Sequence, residues 1–306
     1  MERSLPIRYF IYYLVLIIGL SSAQERWNYS AEVIESTKIN GEEVRRSNEN
    51  VRFVKVGKVI LTDNAVQYIK DDVLHLNGNT MMINGLDTLT CDSMVYWSKL
   101  DSGYAMGNVR YIQPEKDRLL TTDIFHYWQT DGYRGSSFFA KGYTRIVEPN
   151  RLIAANKIHY DDNIQLMTLS ENASVEDQTR GIFGDEMEIQ YADSLLEMIH
   201  VDKNAFAYNE LNLKINKDGL YQNFRDEMTS KELIAHFQGD HISLLKLNKM
   251  ATTLYHVVDD SLLAGENTVS GDTIRISFQD GEIKRLQVQG GAIGEFNPEG
   301  KNTRLD

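Results

Sequence analysis

One cysteine, Cys91, and four prolines are all that this 306-residue chain has of either residue. A lone thiol closes no internal disulfide, so packing and hydrogen bonds must hold the fold. With so little proline and no low-complexity tract, no linker divides the chain. Basic residues are also short: 32 Lys and Arg against 44 Asp and Glu leave a net charge of −12. That excludes tracking of nucleic acid, which needs a basic stripe to release counterions from phosphates. Beyond residue 20 there is no long apolar run, and so no further candidate for a membrane helix. Catalytic signatures are missing as well: there is no Gly-x-Ser-x-Gly elbow, phosphate loop or Cys/His nucleophile arrangement. The chain reads as non-enzymatic, without a cofactor.

What is present begins with an export signal. Arg3 and Arg8 precede an apolar run from Tyr9 to Leu20, and Ser21-Ser22-Ala23 supplies the small residues of a cleavage site. The expectation is a signal peptide over 1–23. The run is too short for a membrane span, which takes about 20 residues, although a retained anchor is the competing interpretation.

The remainder repeats. An alternating strand ends in an aromatic, a polar turn follows, then a second strand, then Gly-Asn or Asn. Aligned on Tyr68, Tyr96, Tyr127, Tyr160, Tyr191, Phe237 and Phe278, the copies lie about thirty residues apart up to Tyr191, then more than forty. In one copy Met187, Ile189 and Tyr191 alternate with Glu186, Glu188 and Gln190, the period of a half-buried strand. Turns such as Asp161-Asp162-Asn163 imply antiparallel hairpins. At Gly78-Asn79, Gly107-Asn108, Glu171-Asn172 and Lys203-Asn204 the residues accept positive φ, which implies a bulge or corner. The fold is expected to be all-β, with repeats over 24–208, the same architecture over 209–298, and a tail over 299–306. The two long steps are expected to hold loop insertions, 209–228 and 256–271.

Few residues invite chemistry. His126 and His159 share a register in successive copies, where they could stack as neighbours, yet no third ligand sits at metal-site spacing. Asp92, Asp123, Asp185 and Asp272 also share a register, and they are read as strand starts rather than a calcium ladder or a catalytic carboxylate pair. The apolar face is more informative. Val66, Tyr68, Met94, Tyr96, Phe125, Tyr127, Ile158, Tyr160, Met187, Ile189 and Tyr191 form a continuous file if the copies stack. That file suits either an ordinary sheet core or a trough open to lipid.

The segments Ser30-Ala31-Glu32, Asn50-Val51-Arg52-Phe53 and Leu61 to Tyr68 resemble the OstA/LptA family of lipopolysaccharide-transport proteins. Gly107-Asn108-Val109 and Cys91 to Tyr96 match the same repeat, and Gly271 to Ile276 with Gly294 to Pro298 looks like the OstA-like proteins of Bacteroidetes-type bacteria. The resemblance spans nearly all of the chain after the signal. It implies a β-jellyroll, a V-shaped stack of bent antiparallel strands, located in the periplasm or associated with the outer membrane. The inner face would shield the lipid A acyl chains of lipopolysaccharide, so the file above is where lipid is expected. Edge strands would pair with other transport proteins or with a second copy of the chain. The chain departs from the family in its greater length and its two long steps. The rival function is a secreted β-helical protein that binds or cleaves polysaccharide, whose rungs would be shorter and parallel.

Overall fold

The computed structural model describes residues 27–298, apart from 130–135, 193–194, 216–218, 240, 260–261 and 280–281. The expected signal peptide and the tail lie outside this range. The chain forms one antiparallel sheet of 18 strands, with no α-helix among the described residues. The strands are β1 (Asn28–Ser30), β2 (Val33–Ile39), β3 (Glu42–Lys55), β4 (Lys58–Tyr68), β5 (Val73–Asn84) and β6 (Asp87–Trp97). They continue as β7 (Ser102–Gln113), β8 (Arg118–Gln129), β9 (Ser136–Glu148), β10 (Arg151–Asp161), β11 (Leu166–Glu176) and β12 (Arg180–Ala192). The last six are β13 (Leu195–Lys214), β14 (Tyr221–Gln238), β15 (His241–Asp259), β16 (Leu262–Gln279), β17 (Glu282–Gln289) and β18 (Ile293–Pro298). From β2 to β17 each strand pairs with the next, while β1 joins β3 and β18 joins β16.

Every long strand is bent at its middle. Register shifts fall at Leu61/Asn64, Asn77/Thr80, Thr90/Ser93, Met106/Val109 and on through Asn248/Ala251, so the bulges line up strand after strand. An extra residue bends its strand and increases the local twist. Aligned bulges therefore crease the whole sheet into two arms. Pairs such as Ile60↔Met82 and Leu89↔Tyr111 lie in the first arm, and pairs such as Leu76↔Met94 and Ala105↔Phe125 lie in the second.

The crease has a chemical cause. Gly78 and Asn79, Gly107 and Asn108, Glu171 and Asn172, and Lys203 and Asn204 all take positive φ, as the sequence suggested, and Glu49-Asn50 and Lys249-Met250 do so as well. Asn79 donates to Asp63 (2.8 Å), Asn108 to Asp92 (2.9 Å) and Asn204 to Asp185 (2.7 Å). The register aspartates thus do not start strands. They sit in mid-strand opposite a corner: Asp92 and Asp185 tie its Asn side chain, and Asp123 and Asp272 lie against Gly142 and Gly290. At Gly107 a Cβ would run into the Asp92 side chain, which leaves glycine as the residue that fits. Beneath the corner, Thr62 and Thr80 bond to each other at 3.0 Å, and Thr122 and Thr144 at 2.9 Å, so the hydroxyls buried by the bend are paired.

Inner faces of both arms form one core. Phe53, Ile60, Leu89 and Leu120 from the first arm pack with Leu74, Tyr96, Phe125 and Ile158 from the second. Contacts across the arms include Tyr127 Oη donating to Met82 Sδ at 3.4 Å, and the rings of Tyr111 and Phe125 with centroids 5.4 Å apart. Burying such side chains contributes about 1.5–3 kcal/mol each.

The expected loops at 209–228 and 256–271 are mostly strand instead. Residues 209–214 extend β13, 221–228 open β14, 256–259 end β15 and 262–271 open β16. The longer step between aromatics comes from longer strands, 18 to 20 residues in β13 to β16 against 11 to 13 in β4 to β12. Asn212 and Asn223 hydrogen-bond to each other across β13 and β14, and Asn267 donates to Tyr255, so these polar side chains leave strand geometry intact.

Candidate functional site

The arms are shut at one end of the sheet and open at the other. In the first half Trp27 caps the gap, its ring 6.1 Å from both Phe53 and Tyr96, and its Nε1 donates to Ser98 at 2.9 Å. The tips of the arms are clasped there as well. Lys58 of the first arm donates to Tyr96 Oη at 2.9 Å and pairs with Asp101 of the second, while Tyr96 donates to Asp101 at 2.8 Å. Burial alone would raise the Asp101 carboxyl, but hydrogen bonds and charge from Lys58, with the Tyr96 hydroxyl, outweigh it and hold the group below the usual carboxylate range. The Tyr96 hydroxyl is pushed up by burial and by that same carboxylate.

From the end of β11 onward the arms part around a cavity of about 1160 Å³. Pockets for drug-sized ligands span roughly 300–1,000 Å³, so this one admits something larger. Leu196, Ile199, Leu245 and Phe278 line it from the second arm, and Ile182, Ala207, Leu211 and Met228 from the first. Side-chain size explains the difference between the two halves. Three residues beyond the corner, where the first half places Phe53, Met82, Tyr111 and Ile146, the second half offers Ala207 and Thr253. Small residues on a rigid sheet leave space that the backbone cannot close.

Polar groups ring the rim. Asp177 pairs with Arg180 at 2.7 Å, and Glu148 receives hydrogen bonds from Arg118 and an ion pair from Arg151 at 3.7 Å. Inside, Asp226 accepts from the backbone N–H and from Nδ1 of His256, each at 2.9 Å, and the imidazole lies 4.7 Å from the Phe224 ring. Burial raises the Asp226 carboxyl, and its bonds to His256 offset part of that rise. This dyad sits where β14 and β15 stop pairing: Glu227↔Leu254 is their last partnership before the strands diverge. The ends of β13 and β16 then meet at Lys214↔Leu262, in parallel.

Of the residues expected to line a trough, Met94, Tyr96, Phe125, Tyr127 and Ile158 are buried in the closed half. Tyr160 packs half-buried against this core, and Met187, Ile189 and Tyr191 continue the same inner face. Val66 and Tyr68 are on the other face. Counted from the crease, Asp63 corresponds to Asp92, so Ala65 and Gln67 point inward where Met94 and Tyr96 do, and Tyr68 instead meets His75 outside at 5.0 Å. Alignment on the aromatic slips this copy by one residue, which reverses its faces. The cavity-lining side chains Leu196, Ile199, Leu245 and the Asp226–His256 dyad were not singled out by the sequence, because alternation marks an inner face without showing whether the opposite arm fills it.

His126 and His159 are not direct neighbours, since Phe139 of β9 lies between them in register. Trp128 bridges the two, 5.1 Å from His126 and stacked on His159 at 6.0 Å. Among the described residues no group of three or more His, Cys, Asp or Glu side chains is arranged to hold a metal ion. Comparison with models of known protein families and with characterised proteins finds no match.

Proposed function

We propose that this chain is a non-catalytic lipid carrier of the periplasm, in which the cavity between the arms shields the acyl chains of lipopolysaccharide on their way to the outer membrane. The observation that carries this reading is the parting of two apolar sheet faces around about 1160 Å³ while the rest of the sandwich is packed. A buried CH₂ is worth about 0.8 kcal/mol, so one acyl chain gains on the order of 10 kcal/mol there, and an exposed ion pair at most about 1. The creased antiparallel sheet accords with the OstA/LptA-like jellyroll suggested by the repeat. The lipid site differs from the sequence expectation: the first half of the file is core, and the trough is placed between the end of β11 and β17.

Partners would join at the ends of the sheet. β2 is solvent-exposed at nearly every position and β18 at all six, so each end presents strands that another transport protein, or a second copy, could extend. The antiparallel meander differs from the parallel rungs of a β-helix, which leaves the polysaccharide-binding alternative without its architecture.

The test is to fill the cavity. Ala207→Trp places an indole in the space between Met228 and Ile182 without touching the closed half. Displacement of a fluorescent fatty acid from the purified protein should weaken at least tenfold, while the unfolding midpoint shifts little. Unchanged binding would overturn the proposal.

A further inference from the structure

We infer that His256 is a hydrogen-bond acceptor site inside the cavity, selecting an amphiphile whose hydrocarbon carries a hydroxyl group. The inference rests on the lipid reading and adds which part of the ligand the wall recognises. Asp226 and His256 keep 8% and 9% of their side-chain exposure, and both line the cavity. Phe224 packs on the imidazole, and the lining mixes apolar side chains such as Leu211, Met228 and Val258 with polar ones such as Asn209, the cross-strand partner of Asp226. A polar pair in such a wall is costly unless each group finds a partner.

Two of the four side-chain polar atoms have one, and Asp226 Oδ2 makes no hydrogen bond among the described residues. Asp226 Oδ1 accepts both the backbone N–H and the Nδ1–H of His256. Nε2 makes no hydrogen bond among the described residues. In a neutral imidazole one nitrogen donates and the other accepts. A carboxylate oxygen facing Nδ1 assigns the proton to that nitrogen, so Nε2 presents a lone pair to the cavity. The backbone bond from His256 to the same oxygen holds the carboxylate beside the ring where the β14–β15 ladder ends.

A lone pair there discriminates among ligands. A plain alkyl chain passes it without offering a donor. An anionic headgroup would place negative charge against both the lone pair and the Asp226 carboxylate. A hydroxyl supplies a donor at no charge cost. The dyad lies on the inner wall between the strand tip at Tyr221 and the crease beyond Ser230.

The experiment compares octadecanoic acid with its 3-hydroxy and 12-hydroxy derivatives on the full-length protein, by calorimetry, with His256→Phe and His256→Asn beside the native chain. The native protein should bind at least one hydroxy acid about three- to tenfold more tightly than the plain acid, the worth of one hydrogen bond. His256→Phe, which keeps an aromatic ring beside Phe224, should lose the preference, the three acids then binding within twofold of one another. The ¹⁵N resonance of His256 Nε2 should move with the preferred hydroxy acid and stay put with the plain one. If all three acids bind the native protein equally, the acceptor site is refuted and the lipid cavity stands. If none binds, the lipid reading fails and the acceptor site with it.

Discussion

Gly85 and Gly107 share a backbone conformation and differ in their surroundings, which makes them a controlled test of the crease. Gly85 has φ +61° in the β5–β6 turn, and a Cβ there would meet nothing within 4 Å. Gly107 has φ +77° at a corner, and a Cβ there would collide with the Asp92 side chain. Gly85→Ala should therefore cost only the left-handed backbone, about 1–2 kcal/mol. Gly107→Ala carries that cost plus displacement of Asp92, which loses its 2.9 Å bond from Asn108, worth about 1 kcal/mol more or somewhat above. The difference between the two variants should be at least about 1 kcal/mol, read from urea midpoints at constant slope. Hydrogen exchange should also quicken at Met106 and Val109 in the Gly107 variant alone. Asp92→Ala made in the Gly107→Ala background should recover part of the loss, because it removes the carboxylate that the new methyl displaces. Equal costs for the two single variants would refute the claim that the aspartates hold the corners.

The other expectations use different probes. Lys58→Met should destabilise by about 1–2 kcal/mol, less than a fully buried pair would, because Asp101 keeps about a third of its side-chain exposure. The carboxyl of Asp101 is depressed in the folded state, so its contribution is complete above the unfolded value near 3.9 and is lost as pH falls through the lower folded one. Asp101→Asn should accordingly flatten the acid limb of a pH–stability profile. Asp226 has the opposite sign: its carboxyl is raised, so its contribution is present below the unfolded value and is lost as pH climbs through the folded one, a slope that Asp226→Asn should remove. Burial pushes the Cys91 thiol up to about 12, so a thiol reagent at neutral pH should label it only at the rate of unfolding, and fast labelling of native protein would contradict its place in the core.

Much of the architecture was legible because the repeat records it physically. Alternation such as Met187-Glu188-Ile189 specifies a two-sided strand, and paired residues of positive φ specify where it bends. The aspartates were visible too, but their role was not, because their partners lie 16 to 19 residues away on the next strand. Two expectations fail for different reasons. Aligning Tyr68 with Tyr96 ignored the crease, which sets register more firmly than an aromatic does. Taking 209–228 and 256–271 as loops gave weight to Asn and Asp, although Leu211, Leu213 and Phe224 keep strand alternation in between. The cavity was the least legible feature, since it depends on which Ala of one arm faces which side chain of the other.

The most direct measurement is photo-crosslinking in cells from three kinds of position, followed by detection of lipopolysaccharide on the protein. Probes at Leu196 and Leu245 face the cavity, one at Met94 lies in the closed core, and one at Glu188 is on the outer face. Adducts at Leu196 and Leu245, with none at Met94 or Glu188, are the expected result. Adducts at Glu188 in their absence at the cavity positions would contradict a lipid path between the arms.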